Sequence, residues 1–415
     1  MSVSPTAAPG ALRAALSDFR LTPDSPPTEL TELTIDGGAI PVFVNEFWTA
    51  RQRRSLALHE ISYRACFKPE LPRFFIERLT TPGDVVCDPF AGRGTTPLEA
   101  ALLGRRPLAN DLNPLSALLT RPRLTPPDPE ALAARLEAIP RTADTAGEPD
   151  LSMFYHPDTE AEIRALRAWL HERQMTGESD ALDAWIRMVA TNRLTGHSPG
   201  FFSVYTLPPN QAVTPDRQVL INTRRDQTPP YRDTHALILR KSRGLLRGLD
   251  AAMRERLDAA APTAAFFTAD ARNLADIPDA TVQLTVTSPP FLNVVQYARD
   301  NWLRCWFNHI DQQAVAARLT VPSRLEDWET VMRAVFVELA RITRPGGWVA
   351  FEVGEIRNGT LRLEEVVAPL GRAAGLRSEA VLINRQAFTK TANIWGIRNN
   401  RGGTNSNRIV LFQKR

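Results

Sequence analysis

The sequence predicts an α/β fold built on a mostly parallel sheet, and three observations lead there. First, GDVVCDPFAGRGTTPLEAALLGRRPLANDLNP, residues 83–114, runs strand, Gly-containing turn, helix, strand. Second, VQLTVTSPPF alternates Val282, Leu284 and Val286 like a buried strand, then stops at two prolines. Third, apolar β-rich runs near 84–88, 106–110, 264–269, 282–287, 347–353, 378–383 and 408–413 bring the strand count to seven.

Each element has its own logic. Val85, Val86 and Cys87 make the first strand, and Asp88-Pro89-Phe90-Ala91-Gly92-Arg93-Gly94 the turn after it. Thr95 or Thr96 can cap the next helix, which Gly104 ends. Gly92 and Gly94 let a ligand approach the backbone, and the helix start presents free N–H groups. Asp111 ends the second strand some twenty residues on, where dinucleotide-binding folds place a ribose-binding carboxylate. The spacing G-x-G-x-x-G is absent and no Lys follows the loop, so neither the dinucleotide fingerprint nor a triphosphate loop is present. The pattern suits adenosine bound without a pyrophosphate.

At Ser288-Pro289-Pro290-Phe291 the chain leaves the sheet, since proline donates no ladder hydrogen bond and leaves backbone carbonyls unclaimed. A hydroxyl, free carbonyls and an aromatic face can grip a flat ring by its exocyclic amine. Ser-Pro-Pro-Phe alone is also an ordinary turn. The combination of DPFAGRGTT, NDLNP, FTAD and TSPPF in one chain is specific. It resembles the S-adenosylmethionine-dependent amino-methyltransferases of DNA, over roughly residues 45–115 and 262–415.

That resemblance implies a seven-stranded, mostly parallel Rossmann-like methyltransferase sheet with the cofactor at the carboxyl ends of its strands. It implies a cofactor site of Phe67, Lys68, Pro69, Asp88 to Thr96, Asn110, Asp111, Leu112, Asp270 and Ala271. Lys68 and Asp88, with the backbone of Phe90 to Gly94, would meet the amino-acid end. Asp111 would take the ribose hydroxyls and Asp270 the adenine amine, although Asp270 also reads as a helix N-cap. Ser288, Pro289, Pro290 and Phe291 would be catalytic. Ser288 and the Pro289 carbonyl would accept from the target amine, Pro290 would fix the turn, and Phe291 would stack on the flipped base.

The Ser-Pro-Pro variant resembles N4-cytosine enzymes. N6-adenine methylation, an RNA amino-methyltransferase and a non-catalytic nucleic-acid-binding relative stay open. A protein-glutamine methyltransferase would carry Asn-Pro-Pro-Tyr, and Ser288 counts against it. The resemblance further implies double-stranded DNA as substrate and a cytoplasmic, nucleoid-associated bacterial protein. A restriction endonuclease partner, as in restriction-modification pairs, is compatible with it.

About 150 residues separate the second strand from the third, too many for a simple connection. The expected organisation is an N-terminal extension over 1–44, partly disordered, a catalytic domain over 45–117 and 261–415, and a helical target-recognition insertion over 118–260. Helical patterns cover 129–139, 158–173 and 180–193, with a long basic helix near 234–258. A loop-like stretch between them carries Arg193, Arg217, Arg224 and Arg225 beside Tyr205 and Tyr231, a mix suited to phosphates and base edges.

Composition agrees without deciding. The net charge of +4 over 415 residues is compatible with a polyanionic partner. Three cysteines in core-like settings point to a reducing compartment, and the six histidines show no metal-ligand spacing, so no zinc is expected. No run is long and apolar enough for a membrane span. No cysteine accompanies the Pro-Pro turn, which argues against methylation at ring carbon 5.

Overall fold

The structure, a computed structural model, describes residues 9–35, 37–49, 55–63, 66–143, 149–207, 211–290, 300–319, 322, 324–353, 355–356, 361–385 and 406–415. Its strands are β1 (Glu29–Ile35), β2 (Gly38–Asn45), β3 (Val85–Asp88), β4 (Arg106–Asn110), β5 (Ala265–Phe267), β6 (Val282–Thr287), β7 (Thr343–Val353), β8 (Glu355–Ile356), β9 (Leu361–Arg362), β10 (Leu376–Arg385) and β11 (Ser406–Lys414). Strands β8 and β9 form a small ribbon, and the others form one sheet in the order β1-β2-β10-β11-β7-β6-β3-β4-β5.

The sheet therefore has nine strands rather than the expected seven. All seven anticipated runs are present, and the additional pair is the hairpin β1–β2 at one edge. Its signal was the alternation ELTELTI, then Gly37 at φ 75° in a tight turn, then AIPVFV. The Pro- and Thr-rich surroundings obscured it. The extension over 1–44, expected to be partly disordered, supplies within its described residues a helix, Pro9–Ser17, the strand β1 and most of β2. Leu12 and Leu16 of that helix pack with Phe43, Phe74 and Phe75, which is enough apolar burial to order the segment.

The sheet is mixed. Five neighbouring pairs are parallel, and β1–β2, β10–β11 and β11–β7 are antiparallel. The order reverses between β3 and β6, which lie side by side with Val86 opposite Leu284 and Cys87 opposite Thr285. In open α/β sheets, ligands bind beyond the carboxyl ends of strands at such a reversal.

Alternate side chains serve opposite faces. Val86, Leu284, Val286 and Ala350 join Phe74 and Phe75 on one side. Cys87, Val349, Phe351 and Val353 meet the helices Leu325–Ile342 and Leu363–Ala373 on the other.

The stretch 118–260 is helical, with Pro129–Glu137, Pro157–Met175, Ala181–Arg193, Pro215–Arg225, Thr234–Leu245 and Ala251–Ala260. Two expectations change here. A helix interrupts the supposed loop, started by Thr214, whose hydroxyl caps Arg217 N. The long basic helix is two helices, broken where Gly248 adopts φ 79° and Asp250 caps a new start at Met253 N. These helices share one apolar cluster with Leu98, Ala101 and Leu102 of the helix Thr95–Leu102. All eight residues of that helix are buried, because the sheet covers one side and the insertion the other.

Candidate active site

The tips of β3, β4, β5 and β6 open into one cavity. Pro89, Phe90 and Gly92 come from the loop after β3, and Asp111 and Leu112 from the end of β4. Asp270 and Ala271 follow β5, while Ser288 and Pro290 follow β6. The far wall is apolar: Trp328, Val331, Met332 and Val335 of the helix Leu325–Ile342.

The glycine loop is held by its own backbone and by two side chains. Gly94 N donates to Ala91 O at 2.7 Å, and Ala91 N to Asn110 O at 2.9 Å. Asn110, 1% exposed, donates from Nδ2 to Pro89 O and to Ala269 O, and its Oδ1 accepts from Ala269 N. It therefore stitches the loop after β3 to the loop after β5, with both Nδ2 and Oδ1 engaged within the protein. Asp111 receives Gly92 N at 2.9 Å on one oxygen and Asn113 N at 2.9 Å on the other. A carboxylate oxygen has lone pairs for more than one donor, so Asp111 can still accept from the cavity. Burial pushes its carboxyl up, against the two backbone N–H groups that pull it down.

Asp270 is clamped by Arg272, whose Nε lies 3.0 Å from both carboxylate oxygens and whose Nη2 lies 2.5 Å from Oδ2. This pair holds the Asp270 carboxyl below its ordinary range. The N-cap alternative does not hold: Arg272 N donates to Asp270 in a turn, and no helix follows.

Two buried carboxylates flank the tip of β6. Thr287 Oγ1 donates to Asp88 Oδ1 at 2.6 Å, and Phe90 N donates to the same oxygen at 3.1 Å. On the opposite side lies Glu352 of β7, which accepts from Asn407 Nδ2 and follows Phe351, the residue paired with Thr287 across β6–β7. Burial is the main cause in both cases, and raises Asp88 and Glu352 to about 7. Trp328 Nε1 donates to Pro290 O at 3.0 Å. That contact pins the Pro-Pro turn and occupies one of its carbonyls.

Several expected site residues stand behind the cavity rather than on it. Asp88, Ala91, Thr95 and Thr96 are buried beneath its floor, with Thr96 Oγ1 donating to Val286 O. Arg93 turns away, donating to Ile61 O and Phe67 O. Gly94 shapes the turn, and Phe67, Lys68 and Pro69 lead into the helix Glu70–Leu79 without lining the cavity. Pro289 is buried, and Phe291 lies outside the described residues. The sequence reasoning missed Tyr63, Arg272, Arg318 and Trp328 on the wall, and Glu352 behind Ser288. Only Glu352 carried a signal, as a lone acid ending the strand VAFEV.

The candidate nucleic-acid residues divide. Arg193 is buried, with its guanidinium 3.9 Å from the Phe201 ring centroid and Nη2 on Asn192 Oδ1, so it supports the insertion from within. Its place at the end of the tightly packed helix Ala181–Arg193 explains this. Arg217, Arg224 and Arg225 are exposed on one helix, with Arg225 stacked 3.8 Å over Tyr205. Tyr231 is 49% exposed, but its hydroxyl donates to Glu162.

The fold thus defines an α/β protein with a cavity at the sheet's point of reversal, lined by Asp111 and Asp270 on one side and by Ser288 and Pro290 on the other. Residues 41–117 match the family model described as DNA methylase, covering N6 and N4 methyltransferases. The Type II methyltransferase M.MjaII of Methanocaldococcus jannaschii is 30% identical over 76 residues, which is 18% of this chain and 14% of that protein. These matches support an amino-methyltransferase family. Among solved structures, TTHA0409 of Thermus thermophilus, named as a candidate DNA modification methylase, is 23% identical over 35% of this chain and 50% of its own, with a TM-score of 0.22. It has also been solved with S-adenosyl-L-methionine. The rRNA methyltransferase aviRa of Streptomyces viridochromogenes is 14% identical over 86% of this chain and 90% of its own, with a TM-score of 0.33. At these TM-scores the superpositions add nothing to the topology derived above.

Proposed function

We propose that the protein is a DNA amino-methyltransferase that takes its methyl group from S-adenosylmethionine and delivers it to the N4 amine of a flipped-out cytosine in duplex DNA. One observation carries this reading: the loop after β3 and the Ser-Pro-Pro turn after β6 open into the same cavity. A donor on the first and an amine on the second would then face each other at bonding range.

The cavity fits the nucleoside part of the donor. Asp111 and Asp270 offer acceptors at the ends of β4 and β5. Gly92 leaves open a space that a Cβ would partly fill, 3.6 Å from the Tyr63 ring. When bound, S-adenosylmethionine supplies a methyl group already activated on a sulfonium. The chain's own residues therefore need mainly to orient the amine. Its lone pair is delocalised into the base, and acceptors on both N–H groups favour a more pyramidal, electron-richer nitrogen. Ser288 Oγ and the Pro289 carbonyl take that role, since the Pro290 carbonyl is engaged by Trp328. Extruding the base costs a few kcal/mol, which the exposed Arg217, Arg224 and Arg225 help to offset through phosphate contacts.

Cytosine is favoured over adenine by Ser288, as the Ser-Pro-Pro variant of the family pattern. The test is to incubate the protein with labelled donor and duplex DNA, single strands or RNA, and to identify the modified nucleoside. Labelled N4-methylcytosine from duplex DNA is expected. N6-methyladenine would move the target base, label in RNA alone would move the substrate class, and no label in any of them would refute the reading.

A further inference from the structure

The helix Pro215–Arg225 sits on the insertion rather than in it. Of its eleven residues only Gln218 is buried. Side-chain amides anchor its inner side beside Ile221. Gln218 Nε2 donates to Tyr205 O at 3.1 Å, and Asn222 Nδ2 donates to Met153 O at 2.8 Å. Gln227 Nε2, just past the helix, reaches Tyr205 O at 2.9 Å, and Arg225 stacks over the Tyr205 ring. The helix is thus fixed in place while most of its surface is left to solvent.

Asp216, Arg217, Val219, Leu220, Thr223 and Arg224 are all exposed. At about 100° per residue they form one continuous arc, in the order Val219, Thr223, Asp216, Leu220, Arg224, Arg217. Val219 and Leu220 are 48% and 50% exposed, the one adjacent pair of exposed large hydrophobics among the described residues. Thr223 extends this apolar part, because its hydroxyl donates back to Val219 O at 3.0 Å and leaves its methyl group for contact. The arc is therefore cationic at one rim and apolar over much of its breadth, with a single carboxylate between.

The helix is also tied to the chain that carries the Ser-Pro-Pro turn. Just before its start, Ala212 N donates to Asp300 O at 3.1 Å and Val213 O accepts from Trp302 Nε1 at 3.0 Å. Asp300 and Trp302 lie on the chain beyond that turn, so the arc is anchored to the segment that would present the target base.

We infer that this arc enters the major groove of the substrate duplex, where Val219, Leu220 and Thr223 recognise thymine through its 5-methyl group. The inference rests on the function proposed above and goes on to how the target sequence is chosen. The major groove admits one α-helix, and apolar side chains discriminate there by contact with the thymine methyl. Charge decides the occupant and its orientation. Arg217 and Arg224 at one rim suit the phosphates along the groove wall. Asp216 would be repelled by a phosphate but can accept from a base amino group, which turns the middle of the arc towards the base edges.

The experiment selects duplexes bound by the full-length protein from a random-sequence pool, without donor, and then measures affinity for the selected duplex by fluorescence anisotropy. The wild type should enrich a sequence containing thymine. Replacing one of those thymines by deoxyuridine removes only the methyl group and should weaken binding about fourfold, the worth of one buried methyl. Leu220→Ala and Val219→Ala should bind the selected duplex less tightly, by about tenfold for the larger loss, with the salt dependence unchanged. In at least one of the two, the deoxyuridine penalty should vanish. Arg217→Ala and Arg224→Ala should instead lower the salt slope by about one each and keep the preferred sequence.

The substituted positions are exposed, so the variants should fold. A wild type that enriches no sequence, or one without thymine, overturns the inference. So does a deoxyuridine penalty that persists in both Val219→Ala and Leu220→Ala. If Leu220→Ala turns a dimer into a monomer in sedimentation and leaves the selected sequence unchanged, the arc is a contact between copies of the chain, and the inference also fails. Because selection needs no methyl transfer, a wild type that shows this thymine dependence yet methylates nothing would refute the proposed activity and leave the groove contact standing.

Discussion

Replacing Gly94 by Ala should both destabilise the protein and weaken donor binding. Gly94 adopts φ 76° and ψ 42°, a left-handed conformation that costs an L-residue about 1–2 kcal/mol. A Cβ built there would lie 2.7 Å from the Thr120 Cβ, and closer still to Thr120 Oγ1 and Cγ2. Thr120 cannot simply swing away, because Oγ1 donates to Ser116 O at 2.7 Å and the residue is fully buried. Overpacking of this kind adds roughly 1–3 kcal/mol, for a total of about 3 kcal/mol. In a chain of 415 residues that corresponds to a fall in melting temperature of roughly 3 °C. The same shift would pull Gly92 N from Asp111, so donor affinity measured by titration calorimetry should drop at least about tenfold. Thr120→Ala in the Gly94→Ala background should recover only part of the stability, since the Thr120 Cβ is itself too near. A Gly94→Ala protein that melts within 1 °C of wild type and binds donor equally well would refute this account.

Ser288→Ala should lower the transfer rate on the order of 100-fold, comparable to losing one preorganised polar group, with donor affinity nearly unchanged; equal losses in both would remove Ser288 from the chemistry. Asp270→Asn should weaken donor binding about tenfold in calorimetry with little change in melting temperature, because the Asp270–Arg272 pair is about one-third exposed. Asp88 and Glu352 both sit near 7 when folded, above ordinary carboxyl values. The folded state therefore binds more protons than the unfolded state between about pH 4 and 7, and stability should fall as pH rises through that window and level off above it. Asp88→Asn and Glu352→Gln should each flatten the slope of melting temperature against pH, and a wild-type slope of opposite sign would refute the assignment.

The parts legible in the sequence were those where one local rule decides. Alternation and turn residues marked the seven core strands, and the glycine loop and Ser-Pro-Pro turn announced themselves by residues that only a special backbone needs. What was hidden depended on distant partners. Nothing local says that Asn110 spends its amide on Pro89 and Ala269, or that Trp328 reaches Pro290 across 38 residues. Arg193 looked available to nucleic acid because it opens a loop-like stretch rich in Arg and Tyr, yet Phe201 and Asn192 enclose it. That Glu352 stands beside the tip of β6 follows from the register in which β6 and β7 pair, which becomes visible only once the sheet is assembled.

The burial of the helix Thr95–Leu102 on all sides has an architectural consequence. Because residues 118–260 cover that helix, they are no detachable cassette, and a chimera that exchanges them for another protein's insertion would strip the glycine loop of its foundation. Change that spares the fold is then confined to the outward skin of the insertion, such as the helix bearing Arg217, Arg224 and Arg225, while its inner surface stays tied to the helix behind the glycine loop.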